Sequence, residues 1–521
     1  MQKRPASPSI KNPAKANTNA SKLASSLFLG LLFSPLLMSS PEETPTARGE
    51  PPFLSLYDAL TEALANNLDL EAERLVEQRV QEDEIIARAP FDPRVEVRAS
   101  QSTRQQSRAA SELDGSSRPR DETFNTRAIL RQRTTPGTQL SLTTTLNRRD
   151  TNSDRATLNP ASDADVSLDI TQPLLRNRGR AVNRADIEKS LLEQDRAWKN
   201  LQARAMDLAL EVEIAYYGIA VAKEEVRLRE LNLQISEQLL EDSRLRREAG
   251  AGTRLDMLRA EVRVANNKES LLQSQQSLQN RRDELLDLIG TLDNEEDFSR
   301  DFRVAPLEVP ENIETEVTRS LQKAMANDPQ RERTELRLEQ LSIDETVARN
   351  RRLPNLDLGG NVSFTGREEG FGKAIDELAD GRGYFWQVNL SLSMPWGFRE
   401  ERARYRQARL NLQRENVLLQ RIDQSLLVEA RRSIRAVETA QERLQVSQLG
   451  TSLSEEQLEL ERERYQAGAG TSRDVLDAQE DFESARLQQL RAQRDLREAL
   501  SRLQRFEGLN LSAYGLLMER M

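Results

Sequence analysis

The sequence predicts an α+β membrane architecture of two tandem copies of one unit, in which long coiled-coil helical hairpins run into strands with one apolar face. Three observations carry this expectation: a duplicated turn, long stretches without Pro, and a change in apolar period between them. Ala249-Gly250-Ala251-Gly252-Thr253 recurs letter for letter at Ala467-Gly468-Ala469-Gly470-Thr471, and Asp256, Leu258 and Ala260 recur in step as Asp474, Leu476 and Ala478. A repeat of this size marks duplication of a whole supersecondary unit. A second echo lies upstream, where Leu60, Ala63, Ala65, Asn66 and Pro93 match Leu321, Ala324, Ala326, Asn327 and Pro354. The register shift differs between the two echoes, so the first copy carries extra residues between Pro93 and its turn.

Pro marks the helical territory. Of 19 Pro, none falls between Leu174 and Ala305 and none follows Pro395, and Pro is excluded from helix interiors by its missing N–H and its ring. In the first stretch Leu201, Ala205, Leu208, Val212, Ala215, Ile219, Ala222 and Val226 keep spacings of three and four; in the second, Val475, Ala478, Phe482, Ala485, Ala492, Leu496, Ala499, Leu503 and Phe506 do so around one polar position, Gln489. Sustained heptads of this kind specify coiled-coil packing, and the many Ala allow close approach. A further stripe of Leu228, Leu231, Ile235 and Leu239 implies more than one neighbour, as in a ring of helices. Residues 180–248 would span roughly 100 Å as one helix, and 400–466 nearly the same. Both end at the Gly turn, where Gly supplies the positive φ of a helix C-terminus.

Between these helices the period switches to two. Trp386, Val388, Leu390, Leu392 and Met394 alternate with Gln387, Asn389, Ser391 and Ser393; Leu356, Leu358, Val362 and Phe364 alternate with Asp357, Gly359, Asn361 and Ser363. Val166, Leu168 and Ile170, then Leu140, Leu142 and Leu146, and Val95 and Val97 repeat the pattern in the first copy. A soluble sandwich also gives such alternation, but these strands form too small a sheet to bury its own apolar face. A barrel assembled from several chains removes the difficulty, with lipid outside and water inside. Extra strands at Phe124 to Arg133 and Thr138 to Arg148, joined at Pro136-Gly137, either widen that barrel or form an external hairpin; alternating strands with polar loops fit both.

Composition excludes other classes. Charged residues make up 31% and aromatic ones 4% of 521 residues, too polar for a helical membrane protein and too poor in aromatics for one large enclosed core. Cys and His are both absent, which removes disulfides, thiolate metal sites and the usual general base; no enzyme, cofactor or metal site is expected. Lys3, Arg4, Lys11, Lys15 and Lys22 precede the apolar run Leu27 to Phe33, which is too short to span a bilayer and reads as a signal peptide over 1–40; the alternative is an N-terminal anchor helix. Its removal takes five positive and no negative charges, moving the formal balance from -10 to about -15, and an acidic mature chain argues against nucleic acid as a partner. The expected division is then a linker at 41–53, a first repeat at 54–305, a second at 306–508 and a tail at 509–521. The first repeat holds helix 54–89, strands 94–172 and helices 180–248 and 254–290. The second holds helix 313–350, strands 355–395 and helices 400–466 and 472–508.

Ala59-Leu60 with Ala63 to Asn67, Gln172-Pro173-Leu174-Leu175, Ser393-Met394-Pro395, and Tyr465-Gln466-Ala467-Gly468 running to Asp474-Val475-Leu476-Asp477-Ala478 together resemble the TolC-like outer-membrane efflux proteins, over essentially the whole chain after residue 50. The resemblance implies a homotrimer that shares one β-barrel in the outer membrane and one long periplasmic α-barrel, placing most of the chain in the periplasm. It implies a passive conduit of a tripartite efflux or type I secretion system, working with a periplasmic adaptor protein, an inner-membrane transporter of RND or ABC type, and outer-membrane lipid. The alternative is a periplasmic or secreted coiled-coil scaffold without a pore. Under the resemblance, Ala249, Gly250, Ala251, Ala467, Gly468 and Ala469 become adaptor-docking tips, though the same Gly also simply close a hairpin. Asp474 and Asp477 become an acidic pore aperture, where three copies would form rings of like charge; the alternative is an exposed helix face, or an Asp favoured by the helix dipole. Tyr465 matches a residue that latches the closed tip, while Gly470 stands where the latching Arg is expected.

Overall fold

The computed structural model describes residues 52–105, 118–250, 252–290, 302–310 and 313–516, with Met518 and Arg520. The expected signal peptide at 1–40, most of the linker and Ala251 lie outside the described residues. Two short helices, α1 (Leu56–Asn66) and α2 (Leu68–Arg88), lead into strands β1 (Arg94–Gln105), β2 (Arg120–Arg133), β3 (Gln139–Thr151) and β4 (Ala161–Pro173). A turn of helix α3 (Arg180–Asn183) precedes α4 (Ala185–Glu248), and α5 (Arg254–Ile289) returns beside it. The second copy runs α6 (Val317–Asn327), α7 (Pro329–Arg351), β5 (Asn355–Glu368), α8 (Phe371–Ala379), β6 (Gly383–Ser393), α9 (Arg399–Gln466) and α10 (Ser472–Phe506).

The 64 residues of α4 and 68 of α9 reach about 96 Å and about 102 Å at the α-helical rise. The expected seam is the buried one: Leu201, Ala205, Leu208, Val212, Ala215, Ile219 and Ala222 lie in the interior of α4, and Val475, Ala478, Ala492, Leu496 and Leu503 in that of α10. The second stripe on α4 divides, with Leu228 and Leu239 buried but Leu231 half exposed. Lower down, Asn267 donates to Ser236 Oγ at 2.5 Å. A polar seam therefore replaces the apolar one in part of the first hairpin. Contacts run α5 to α4, α4 to α10 and α10 to α9, so the four long helices stand in a row with α5 and α9 at its ends.

Besides helix 180–248, which breaks at Arg184 into α3 and α4, three expected elements differ. Helix 54–89 is two helices because Asn67 turns out of the helical region, caps α2 by accepting from Leu70 N–H at 3.0 Å, and donates to Leu288 O. Helix 313–350 divides at Asp328, which caps α7 by accepting from Arg331 N–H at 2.7 Å with Pro329 in the first turn. The two breaks are one duplicated feature. Gly290 (φ +74°) ends α5 so close to Asn66 that a Cβ would sit 2.5 Å from its carbonyl oxygen; Gly508 (φ +72°), past α10, would place one 2.6 Å from Asn327 Cβ. Third, strands 355–395 enclose α8. Its Ala374 is fully buried over Gly366, where a Cβ would meet the Ala374 carbonyl at 2.1 Å.

All the strands among the described residues join one six-stranded antiparallel sheet in the order β1-β2-β3-β4-β5-β6. Register aligns Val95, Leu130, Leu142, Leu168, Val362 and Trp386 in one row, and Val97, Ala128, Thr144, Val166, Phe364 and Tyr384 in another. The opposite face carries Arg131 paired with Glu96 at 3.1 Å, Arg149 with Asp121 at 2.9 Å, and Asn361 donating to Asp169 at 2.6 Å. No described helix is long and apolar enough to cross a membrane.

Candidate functional site at the helical tips

Each long hairpin turns through the same local chemistry. At the first tip Ala249 N–H bonds Leu245 O, Gly250 takes φ +76°, and Thr253 caps α5. At the second, Ala467 N–H bonds Glu463 O, Gly468 takes φ +76°, and Thr471 caps α10. Ala249, Gly250, Ala467, Gly468 and Ala469 are all exposed. The positive φ demands Gly at the turn itself. Gly470, the position expected to hold a latching Arg, lies under the turn: a Cβ there would stand 3.2 Å from Tyr465 N.

Asp474 closes a capping box. Its carboxylate accepts from Thr471 N–H at 3.0 Å and from Thr471 Oγ1 at 2.8 Å, while Asp474 N–H donates back to Thr471 Oγ1. The Thr471 backbone and hydroxyl bonds hold its carboxyl below the usual carboxylate range. Asp256 makes the same box with Thr253, and the Thr253 bonds lower its carboxyl too. Capping therefore accounts for both residues without reference to a pore. Asp477 stands one turn further along α10, exposed, 3.4 Å from Arg473.

Tyr465 is buried between the hairpins, 9% exposed. The Arg246 guanidinium, from the end of α4, lies 4.1 Å from its ring centroid, a cation–π contact that ties one tip to the other. Burial raises the Tyr465 hydroxyl pKa, and Arg246 opposes this only in part. Further from the tips, Arg263 pairs with Glu480 at 2.8 Å, and Arg229 pairs with Glu483, both across the same boundary. The chain thus brings Tyr465 and Asp474 to one tip region but pairs Tyr465 with a residue of the other hairpin. Arg246, Arg263 and Arg229 were not singled out from sequence. Aligning the turns sets Arg247 against Tyr465 and Arg246 against Arg464, and that loss of symmetry at a duplicated tip was the available signal.

The family model for outer membrane efflux proteins matches residues 59–291 and 320–509. Among solved structures, the outer-membrane channel OprN is similar with a TM-score of 0.63 at 20% identity, over 87% of this chain and 89% of that one. The CmeC outer membrane channel of Campylobacter jejuni gives 0.63 at 16% identity over 87% and 85%, and the MtrE outer membrane channel of Neisseria gonorrhoeae, in its open state, 0.59 at 20% over 87% and 88%. No curated protein matches the chain. The structural likenesses speak for the fold, and the family match, spanning both tandem copies and most of the described residues, speaks for kinship: the chain belongs to the outer membrane efflux proteins, a family of outer-membrane channels with a large periplasmic tunnel rather than of enzymes.

Proposed function

We propose that the protein is the trimeric outer-membrane conduit of a tripartite efflux or type I secretion system, passively passing cargo delivered through a periplasmic adaptor by an inner-membrane transporter of RND or ABC type. One observation carries this reading: both layers of the chain are open-ended rows. The sheet ends at β1 and β6. The helical row ends at α5 and α9, whose outer faces expose Leu255, Leu258 and Val262 on one and Val446, Leu449, Leu453 and Leu460 on the other. Exposed apolar stripes at helical spacing mark packing surfaces, and a row with two different ends closes head to tail into a ring.

The tips offer two further assignments. Ala249, Gly250, Ala467, Gly468 and Ala469, exposed and small, with Ala251 beside them in sequence, form the adaptor-docking surface. Asp477, and Asp474 to the extent that its cap leaves charge facing the axis, form the cation-attracting aperture, with Tyr465 and Arg246 clasping the hairpins. The test is extraction of the native protein in detergent followed by planar-bilayer recording: a heat-resistant trimer with ion conductance is expected. A monodisperse protein that needs no detergent and conducts nothing would leave a coiled-coil scaffold as the function.

A further inference from the structure

We infer that the shared barrel has eighteen strands, six from each of three copies, with β2 and β3 built into its wall and β6 of one copy paired to β1 of the next; this rests on the trimeric channel reading above. The carrying observation is the apolar row Val95, Leu130, Leu142, Leu168, Val362 and Trp386, which crosses all six strands without a break. A hairpin standing outside the membrane would have no reason to place Leu130 and Leu142 level with Leu168 and Val362.

Exposure along that row shows where neighbours are missing. Leu130, Leu142, Leu168 and Val362 are 40%, 39%, 41% and 44% exposed, whereas the end residues Val95 and Trp386 are 73% and 67% exposed. Both end strands lack a flank. A sheet edge in hydrocarbon leaves backbone N–H and C=O groups without partners, so membrane sheets close. Six strands are too few to close round a lumen, and this sheet pairs β1 only with β2 and β6 only with β5 among the described residues. Because the strand number is even, β6 of one copy meets β1 of the next antiparallel, and the up-and-down order continues through the seam. The occupant of each edge is therefore the opposite edge of another copy.

The consequence is width. At the usual strand spacing and tilt, eighteen strands give a backbone radius of about 18 Å, against about 12 Å if the β2–β3 hairpin stood outside and each copy gave four. The polar face turned inward mixes Glu96, Arg98, Arg127, Asp165 and Asp169, so the membrane section is a wide wet passage with both charge signs. Selection by size then falls to the helical tips.

The chain has no Cys, so single thiols report cleanly. Leu142→Cys and Thr143→Cys face opposite sides of β3, as Val362→Cys and Ser363→Cys do on β5. With the full trimer in lipid vesicles and a water-soluble maleimide, both apolar-face thiols are expected to react at least ~10-fold more slowly than their polar-face neighbours. A difference on β5 with none on β3 would put the hairpin outside the wall, overturning eighteen strands while leaving the channel reading in place. No difference on either strand would remove the sheet from the membrane and both readings with it. Electron cryomicroscopy of the same preparation counts the strands directly: eighteen supports the inference, and twelve ends it.

Discussion

Glu213 is a residue that the coiled-coil pattern alone does not explain. It is fully buried on α4, and burial raises its pKa from 4.5 to about 7, with Ser501, Tyr514 and Arg497 offsetting this only in part. A carboxyl whose folded pKa is raised binds its proton more tightly in the folded state. Its contribution to stability is therefore whole below about pH 4.5 and is lost as pH rises through about 7. The loss is of order 3 kcal/mol. Thermal unfolding of the detergent-extracted protein between pH 5 and pH 8 is expected to show this decline, and Glu213→Gln to flatten it; an unchanged slope in the variant would assign the decline to other groups. At the tips, duplication supplies an internal control. Asp256→Asn and Asp474→Asn weaken equivalent capping boxes, each loosening the first turn of its helix. If Asp474 also lines the aperture, only its variant, alone or with Asp477→Asn, weakens block of conductance by multivalent cations. Equal behaviour of the two cap variants would confine Asp474 to its helix end and leave Asp477 as the candidate.

At the scale of elements, what repeated at a fixed period was readable and what depended on contact was not. The seam of Leu201, Ala205, Leu208 and Val212 is visible because burial imposes a period of three and four, and the apolar rows of β5 and β6 because a sheet imposes two. The breaks at Asn67 and Asp328 were missed although Asp328-Pro329 is a plain stop signal, since a residue before Pro is biased out of the helical region. Asn67 gives a weaker one, as its role depends on the Leu288 carbonyl, 221 positions away. Helix α8 is not expected because its nine residues lie between two alternating stretches, at 356–364 and 386–394, that read as one strand region. Its place depends on Gly366 admitting Ala374, a contact no local pattern contains. The close approach of Gly290 to Asn66 and of Gly508 to Asn327 yields a test. Ala at either site meets a positive φ costing about 1–2 kcal/mol as well as a clash with neighbouring atoms, so Gly290→Ala and Gly508→Ala are expected to destabilise well beyond an exposed helical substitution. Denaturant midpoints near wild type would show that the two junctions relax freely.

Across the whole molecule, the sheet and the helical row are each open at two different ends: β1 and α5 belong to the first copy, β6 and α9 to the second. If the copies assemble through both layers, as proposed, the helical stripes are energetically distinct from ordinary surface. Leu449 and Leu453 are 61% and 57% exposed in the single chain, and fully burying one such side chain is worth about 1.5–3 kcal/mol. Glu at both positions would remove that gain at every subunit boundary and add charge to a dry contact. The double variant Leu449→Glu with Leu453→Glu is therefore expected to keep its far-ultraviolet helical signal, because neither side chain belongs to the seam of its own hairpin, while its trimer dissociates at a temperature lower by several degrees. Gel mobility of the heated, detergent-extracted protein reads the outcome. A trimer as heat-resistant as wild type would mean that the sheet alone holds the copies together and that these stripes face water or another partner.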